Sequence, residues 1–277
     1  MKPVDFEMTT PLDTESAIAA LISSDNDTKI IAGGQSLGPM LNLRLARPDT
    51  LVEIAKTPEL REISQTEDYV AFGAATRHAE IEDGMTPDPS RGLMPFVASG
   101  IAYRAVRNKG TVGGSLCHAD PAADWVTAMT ALNATLVITS GRAVTRTTPM
   151  MGFMLGAYRT TLEPDEILTS IRVPKYSDQT VWGYYKICRK VGEFADAMVA
   201  WVADPKNQYS RVVFGAGAGA PLVLDNLANE LAQTGKAPSL GNVKEELELR
   251  APDLDKVKQH LFAVAFQRCV NGALVHE

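Results

Sequence analysis

The sequence has few of the residues that metal and disulfide chemistry require. Only three cysteines occur, Cys117, Cys188 and Cys269, far apart in the chain, so neither a disulfide framework nor a CxxC-type metal site is available. This chain alone therefore cannot hold an iron–sulfur cluster. Its four histidines, His78, His118, His260 and His276, are scattered, with no HExxH or i, i+4 pair, and a zinc site has no support. No stretch approaches the roughly 20 apolar residues needed to cross a bilayer. The start, MKPVDFEMTTPLDTESA, lacks the apolar core of a signal peptide. A cytoplasmic protein without an integral membrane segment is expected. Positive charge is not in excess either: the net charge of -6 gives no broad attraction for nucleic acid or anionic lipid.

What the chain does have is size and apolar content. Its 277 residues, 45% hydrophobic and 22% charged, suffice for two or three compact domains with real cores. Any redox chemistry would be carried by an organic cofactor. Residues 14–23 (TESAIAALIS) have helical spacing after a Thr14 or Asp13 cap and run into the strand TKIIA, which ends at Gly33. A helical piece over 37–45, a strand over 50–54 and a break at Thr57-Pro58 follow.

The next region reads as a strand over 69–73, a helix over 76–82, the loop MTPDPSRG and a helix spanning LMPFVASGIAYRAV. Pro121 is placed in the first turn of a helix covering AADWVTAMTALN, and the strands ATLVITS and EILTSIRVP come after it. From Tyr176 onward VWGYYKICRK, EFADAMVAWVAD and RVVFGAG read as antiparallel strands, and the tail as helices including DLDKVKQHLFAVAFQRCV. The expected organisation is α+β in three parts, 1–57, 58–175 and 176–277. No low-complexity segment or solenoid repeat is present.

Two segments repeat one pattern. Ala32-Gly33-Gly34-Gln35-Ser36-Leu37 and Thr111-Val112-Gly113-Gly114-Ser115-Leu116 are both Gly-Gly followed by a polar stretch and leucine, 80 residues apart. Adjacent glycines can take positive φ and carry no Cβ, so successive N–H groups can converge on an anion. Two such cradles facing each other would suit a diphosphate, with hydroxyls of Ser36, Thr111 and Ser115 as further donors. A single Gly-Gly pair is more often an ordinary turn. Gly215 to Ala220 (GAGAGA) satisfies GxGxxA, but Pro221 follows at once and the preceding strands read as antiparallel, so it is read as a strand end and a turn.

The longer context, RNKGTVGGSLCHADPAAD over 107–124, closely resembles the second flavin loop of medium subunits in the xanthine dehydrogenase and carbon monoxide dehydrogenase family. IIAGGQSL over 30–37 resembles the first. Order, spacing and chain length agree as well, so the resemblance covers essentially the whole chain. It implies the two-lobed FAD-binding fold shared with p-cresol methylhydroxylase and vanillyl-alcohol oxidase, followed by a C-terminal α+β domain with a small antiparallel sheet.

By that resemblance Ile30, Ile31, Ala32, Gly33, Gly34, Gln35, Ser36 and Leu37 wrap the FAD diphosphate, and Thr111, Gly113, Gly114 and Ser115 meet it from the second loop. Asp124 would accept from ribose hydroxyls, although an acid in a helix first turn is also favoured by the helix dipole. Asp120, before Pro121, could equally be a cap. Leu168 and Lys186 fall at flavin-contacting positions of larger relatives, where a core strand residue and a solvated lysine are the ordinary alternatives. Phe194, in the turn RKVGEFA, would lie beside the isoalloxazine, with ring packing but no hydroxyl.

No catalytic acid or base and no metal ligand is assigned to this chain. The implied partners are a large subunit with the molybdenum–pterin cofactor and a small subunit with two [2Fe-2S] clusters, in an αβγ or doubled assembly. An aromatic N-heterocycle is the favoured substrate class, oxidised on the large subunit. A self-contained flavin oxidase of the same fold and a flavin-free scaffold are the alternatives.

Overall fold

The computed structural model describes residues 2–22, 27–141 and 144–273; Ser23, at the end of the first expected helix, and His276 lie outside them. The first lobe is a small parallel sheet of β1 (Glu7–Thr9), β2 (Thr28–Ile31) and β3 (Thr50–Glu53), with β3 central. Helix α1 (Thr14–Ile22) makes the crossover that parallel pairing requires. Its cap is Asp13, whose Oδ1 accepts from the Ser16 backbone at 2.7 Å. Ala17 and Ile18 on its inner face pack with Val52 and Leu60, and with Ile167 of the second lobe. After β2 the chain turns and enters α2 (Leu37–Asn42), shorter than the expected 37–45 because Arg44 sits at φ +58.

The second lobe is an antiparallel sheet built on β4 (Ile63–Gln65) and β5 (Tyr69–Gly73), beside helices α3 (His78–Glu82), α4 (Leu93–Ser99), α5 (Arg104–Arg107), α6 (Val112–His118) and α7 (Asp124–Ala131). Strands β6 (Thr135–Ser140) and β7 (Thr145–Pro149), the small hairpin β8 (Met154–Gly156) and β9 (Arg159–Thr160), and β10 (Glu166–Pro174) complete it. The sheet order is β4-β5-β10-β6-β7. Phe72, Leu93, Leu116, Trp125, Leu136 and Ile171 form its core with almost no exposure.

The helix expected over LMPFVASGIAYRAV is two helices. Between α4 and α5, Ile101 pairs in parallel with Gly192 of the C-terminal domain and Ala102 is left-handed at φ +44. Tertiary pairing therefore overrides local helix propensity after Gly100. Pro121 likewise lies outside α7, in a turn where Ala123 N donates to Asp120 O, and the helix starts three residues later.

The C-terminal domain is an antiparallel sheet in chain order, β11 (Val181–Ile187), β12 (Ala197–Asp204), β13 (Tyr209–Gly215) and β14 (Leu222–Val223). Helices α8 (Asp225–Thr234), α9 (Leu240–Arg250) and α10 (Lys256–Ala273) cover one face through Phe214, Leu227, Leu247, Phe262 and Phe266. Ala200, Val202 and Val213 on the other face join the core of the second lobe, so β12 is buried along its whole length. Strand β12 begins only at Ala197, since Glu193 is held in a turn by its N–H donating to Lys190 O. GAGAGA follows β13, whose partners are both antiparallel, and leads to β14 rather than to a helix. Ala216 N donates to Pro121 O at 2.8 Å, so this turn buttresses the segment that precedes α7.

Candidate functional site

A cleft of about 1080 Å³ runs between the first glycine segment, the start of α6, the start of α7 and the β11–β12 turn. That is just above the roughly 300–1,000 Å³ usual for small-molecule sites and suits a ligand of dinucleotide size. Ile30 to Leu37, Thr111, Gly113, Gly114, Ser115, Asp120, Asp124, Leu168 and Phe194 all line it. Lys186 does not.

The first segment is an open nest. Gly34 is at φ +68, a conformation in which a side chain is strained and one that lets successive N–H groups point the same way. The N–H groups of Gly33, Gly34, Gln35 and Ser36 donate to no protein acceptor among the described residues. Gln35 Nε2 donates to Gly33 O at 2.9 Å and stiffens the turn. Gly33 is needed for a different reason: a Cβ there would overlap the Lys109 carbonyl, so glycine lets this turn lie against the stretch leading into the second segment.

The second segment is not a matching nest. Gly113 and Gly114 lie in the first turn of α6, and Gly114 N donates to the Thr111 Oγ1 cap at 3.1 Å. The N–H groups of Val112 and Gly113 go to Thr76 O and Ala74 O at 3.0 and 2.9 Å. Neither glycine has positive φ. Their smallness serves close packing instead: a Cβ at 113 would stand 2.6 Å from Ala74 O, and one at 114 would stand 2.8 Å from the capping Thr111 Oγ1, with Ala32 Cβ in ordinary contact at 3.6 Å. The two segments therefore line the same cleft, one as a nest and the other as a capped helix start whose first-turn N–H groups are already bonded and which offers the Ser115 hydroxyl.

The acids of the DPAAD stretch differ in what they leave free. Asp120 has one protein donor on each oxygen, Oδ1 accepting from Ala122 N at 2.9 Å and Oδ2 from Tyr158 Oη at 3.3 Å. The charge of Asp120 is the main cause that raises the Tyr158 phenol above its ordinary pKa. Asp124, the first residue of α7, uses Oδ1 twice, accepting from Tyr184 Oη at 2.7 Å and Lys186 Nζ at 2.8 Å. Its Oδ2 takes no protein donor among the described residues. Burial first, and then Asp124, pushes the Tyr184 phenol well up, so it stays protonated and donating. Lys186 thus stands behind Asp124. Leu168 belongs to the core of the second lobe and shows an edge to the cleft, while Phe194 is 70% exposed at its mouth.

Several lining residues had no signal in the sequence. His78, the Ile101-Ala102 segment and Tyr158 come from distant parts of the chain that only the tertiary fold assembles, and His118 and Arg189, inside the two segments singled out in the sequence, join them. Tyr158 lies on His118 with ring centroids 5.1 Å apart. Cys117 also lines the cleft, and burial raises its thiol to about 12, so it is no thiolate nucleophile. Among the described residues no group of three His, Cys, Asp or Glu could hold a metal ion, and no helix is long and apolar enough to cross a membrane.

Known proteins share this fold. Residues 4–176 match the family model described as the FAD binding domain in molybdopterin dehydrogenase. The nicotine 6-hydroxylase medium subunit of Paenarthrobacter nicotinovorans is 37% identical over 224 residues, 79% of this chain and 77% of that one. The carbon monoxide dehydrogenase medium chain of Hydrogenophaga pseudoflava is 36% identical over 238 residues, 86% of this chain and 83% of that one. The solved carbon monoxide dehydrogenase of Hydrogenophaga pseudoflava has a chain that superposes with a TM-score of 0.86 at 32% identity, covering 99% of each chain. With the glycine nest, the capped helix start and the family match all in the same 173-residue stretch (4 to 176 inclusive), this chain belongs to the FAD-binding family of molybdopterin dehydrogenases and is an oxidoreductase subunit.

Proposed function

We propose that this chain is the electron-exit subunit of a heteromeric molybdenum hydroxylase. Electrons released at a molybdenum–pterin centre on a large partner would pass through [2Fe-2S] clusters on a small partner to the FAD held here, and then to an external acceptor. The observation that carries the reading is the run of free N–H groups from Gly33 to Ser36, facing the start of α6 across a cleft of dinucleotide size. The N–H groups of the nest and the Ser115 hydroxyl are neutral donors for a diphosphate, so an acidic protein can hold it without a cluster of lysines and arginines.

The residues fit FAD in kind as well as in number. The N–H groups of Gly33 to Ser36 would hold one phosphate, and the Ser115 hydroxyl would serve the other. The free Oδ2 of Asp124 would accept from ribose hydroxyls. The apolar edge of Leu168 and the ring of Phe194 would keep water from the flavin faces. When bound, FAD supplies the redox chemistry, and the protein positions it and excludes water. The absence of a cluster-binding cysteine set in this sequence fits a division of labour among chains. The name of the nicotine 6-hydroxylase relative favours an aromatic N-heterocycle as substrate.

Purification of the chain with its neighbours tests the reading. Flavin absorbance at about 450 nm, a property of the cofactor, should track this chain, and molybdenum and iron should track the partners. Heterocycle oxidation by the complex, with none by this chain alone, is the expected result. Turnover by the isolated chain would overturn the subunit assignment.

A further inference from the structure

His78 opens α3 and lines the cleft, yet it is only 5% exposed. Its Nδ1 accepts from the indole Nε1 of Trp125 at 3.0 Å. An indole nitrogen can only donate, so Nδ1 must carry the lone pair, and a neutral imidazole then has its proton on Nε2. Burial, helped by the Arg107 charge, lowers the imidazole to about 4, so the ring is neutral at physiological pH. Trp125 is fully buried in the core of the second lobe and does not release this bond without disturbing the core.

The Nε2–H has no acceptor among the described residues. Among the described residues, the side-chain atoms that are both sealed from solvent and unpartnered are Thr76 Oγ1, Thr127 Oγ1, Thr161 Oγ1, Thr180 Oγ1 and Trp201 Nε1, and His78 Nε2 is not one of them. It is therefore a donor that keeps a little exposed surface, on a residue that lines the cleft. Gly110 keeps it open: a Cβ there would stand 2.7 Å from Nε2. The same glycine lies under the nest, since a Cβ on Gly33 would stand 2.7 Å from Gly110 Cα. The His78 N–H donor and the nest are thus neighbours through Gly110.

We propose that His78 is a further binding residue of this cleft, a tautomer-locked neutral donor from Nε2–H to an oxygen of the FAD diphosphate. This rests on the FAD reading of the cleft. Trp125 and Gly110 are its positioning residues, one fixing which nitrogen is protonated and the other leaving that nitrogen uncovered.

The test uses the assembled complex, stripped of flavin and titrated with FAD. His78→Phe keeps the shape and removes the donor, and should weaken FAD binding roughly tenfold or more, the scale of a hydrogen bond to a charged group. Trp125→Phe should weaken it less, and the double variant no more than His78→Phe alone. At saturating FAD, the phosphorus NMR signals of the bound cofactor should shift in His78→Phe while the flavin absorption band keeps its shape. Unchanged affinity, or a flavin band that changes while the phosphorus signals stay, overturns the proposal.

A second measurement uses the unaltered residue, so misfolding of a variant cannot obscure the answer. Histidine-selective nitrogen NMR should find His78 protonated on Nε2, with that signal moving when FAD is added. Protonation on Nδ1, or an Nε2 signal indifferent to FAD, overturns it. If the wild-type complex takes up no FAD at all, the flavin reading itself fails; if it does and His78→Phe binds equally well, only this inference fails.

Discussion

Lys186 Nζ lies 2.8 Å from Asp124 Oδ1 and donates also to Gly100 O at 2.8 Å, so one buried ammonium ties β11 to the start of α7 and the end of α4. The two side chains are 11% and 10% exposed. Removing one partner of such a pair leaves an uncompensated charge, at a cost of about 3–5 kcal/mol. Lys186→Met should therefore lower the unfolding free energy by that order and weaken FAD binding through Asp124. The double variant Lys186→Met/Asp124→Asn should be more stable than Lys186→Met alone, as read by denaturant unfolding.

The glycines make a sharper prediction because they differ in kind. Gly33→Ala meets the Lys109 backbone and Gly113→Ala meets the Ala74 backbone, which cannot give way as a flexible side chain can. Gly34→Ala faces mainly the left-handed backbone penalty of about 1–2 kcal/mol. Gly38, beside the nest but with nothing within 4 Å of an added Cβ, is the control. FAD retention should fall severely in Gly33→Ala and Gly113→Ala and stay unchanged in Gly38→Ala, measured as flavin per chain after gel filtration.

Legibility in the sequence followed from how local the information was. The strands around 28–31, 69–73, 135–140 and 166–174 stood out because their apolar patterns are continuous and bounded by turn residues. The helix through Gly100 did not end where local propensity suggested, because Ile101 pairs with Gly192, some 90 positions away. Both glycine pairs could be marked as special, but not how: Gly33 and Gly113 are there for a neighbour's backbone, which no local pattern encodes. The cleft-lining role of His78 was invisible for the same reason, since its partner Trp125 lies 47 residues on.

The pH dependence of stability carries the signature of that histidine. Its folded pKa of about 4 lies below the ordinary 6.5, so between those values the unfolded chain binds more protons than the native one. Stability from this group is complete above pH 6.5 and is lost as pH falls through 6.5 toward 4, on the order of 3 kcal/mol in all. Carboxylates with lowered pKa, such as Asp204 at about 2, lose theirs at lower pH. Unfolding measured from pH 7.5 to 4.5, windows set by these shifts, should fall more steeply in the wild type than in His78→Phe. Parallel slopes would count against a buried neutral His78.

Arg107 carries the last prediction. Its Nε and Nη2 grip Glu82 at 2.7 and 2.8 Å, and Nη1 donates to the carbonyls of Ile101 and Ala102 at 2.9 and 3.1 Å. The guanidinium thereby holds a left-handed non-glycine residue in place. A Cβ at Gly192 would overlap the Ala102 carbonyl, so the turn bearing Phe194 docks directly on that held segment. A lysine cannot reproduce four such bonds, so Arg107→Lys is not conservative here. Glu82 keeps Arg104 as a second partner at 2.8 Å, which limits the global cost to about 2 kcal/mol. The local effect should be larger. Amide exchange across 189–195 should accelerate in Arg107→Lys while β12, buried throughout, stays protected, because the Ile101–Gly192 pairing opens without unfolding the sheet. Equal protection of the turn in both proteins would mean that Arg107 does not hold it.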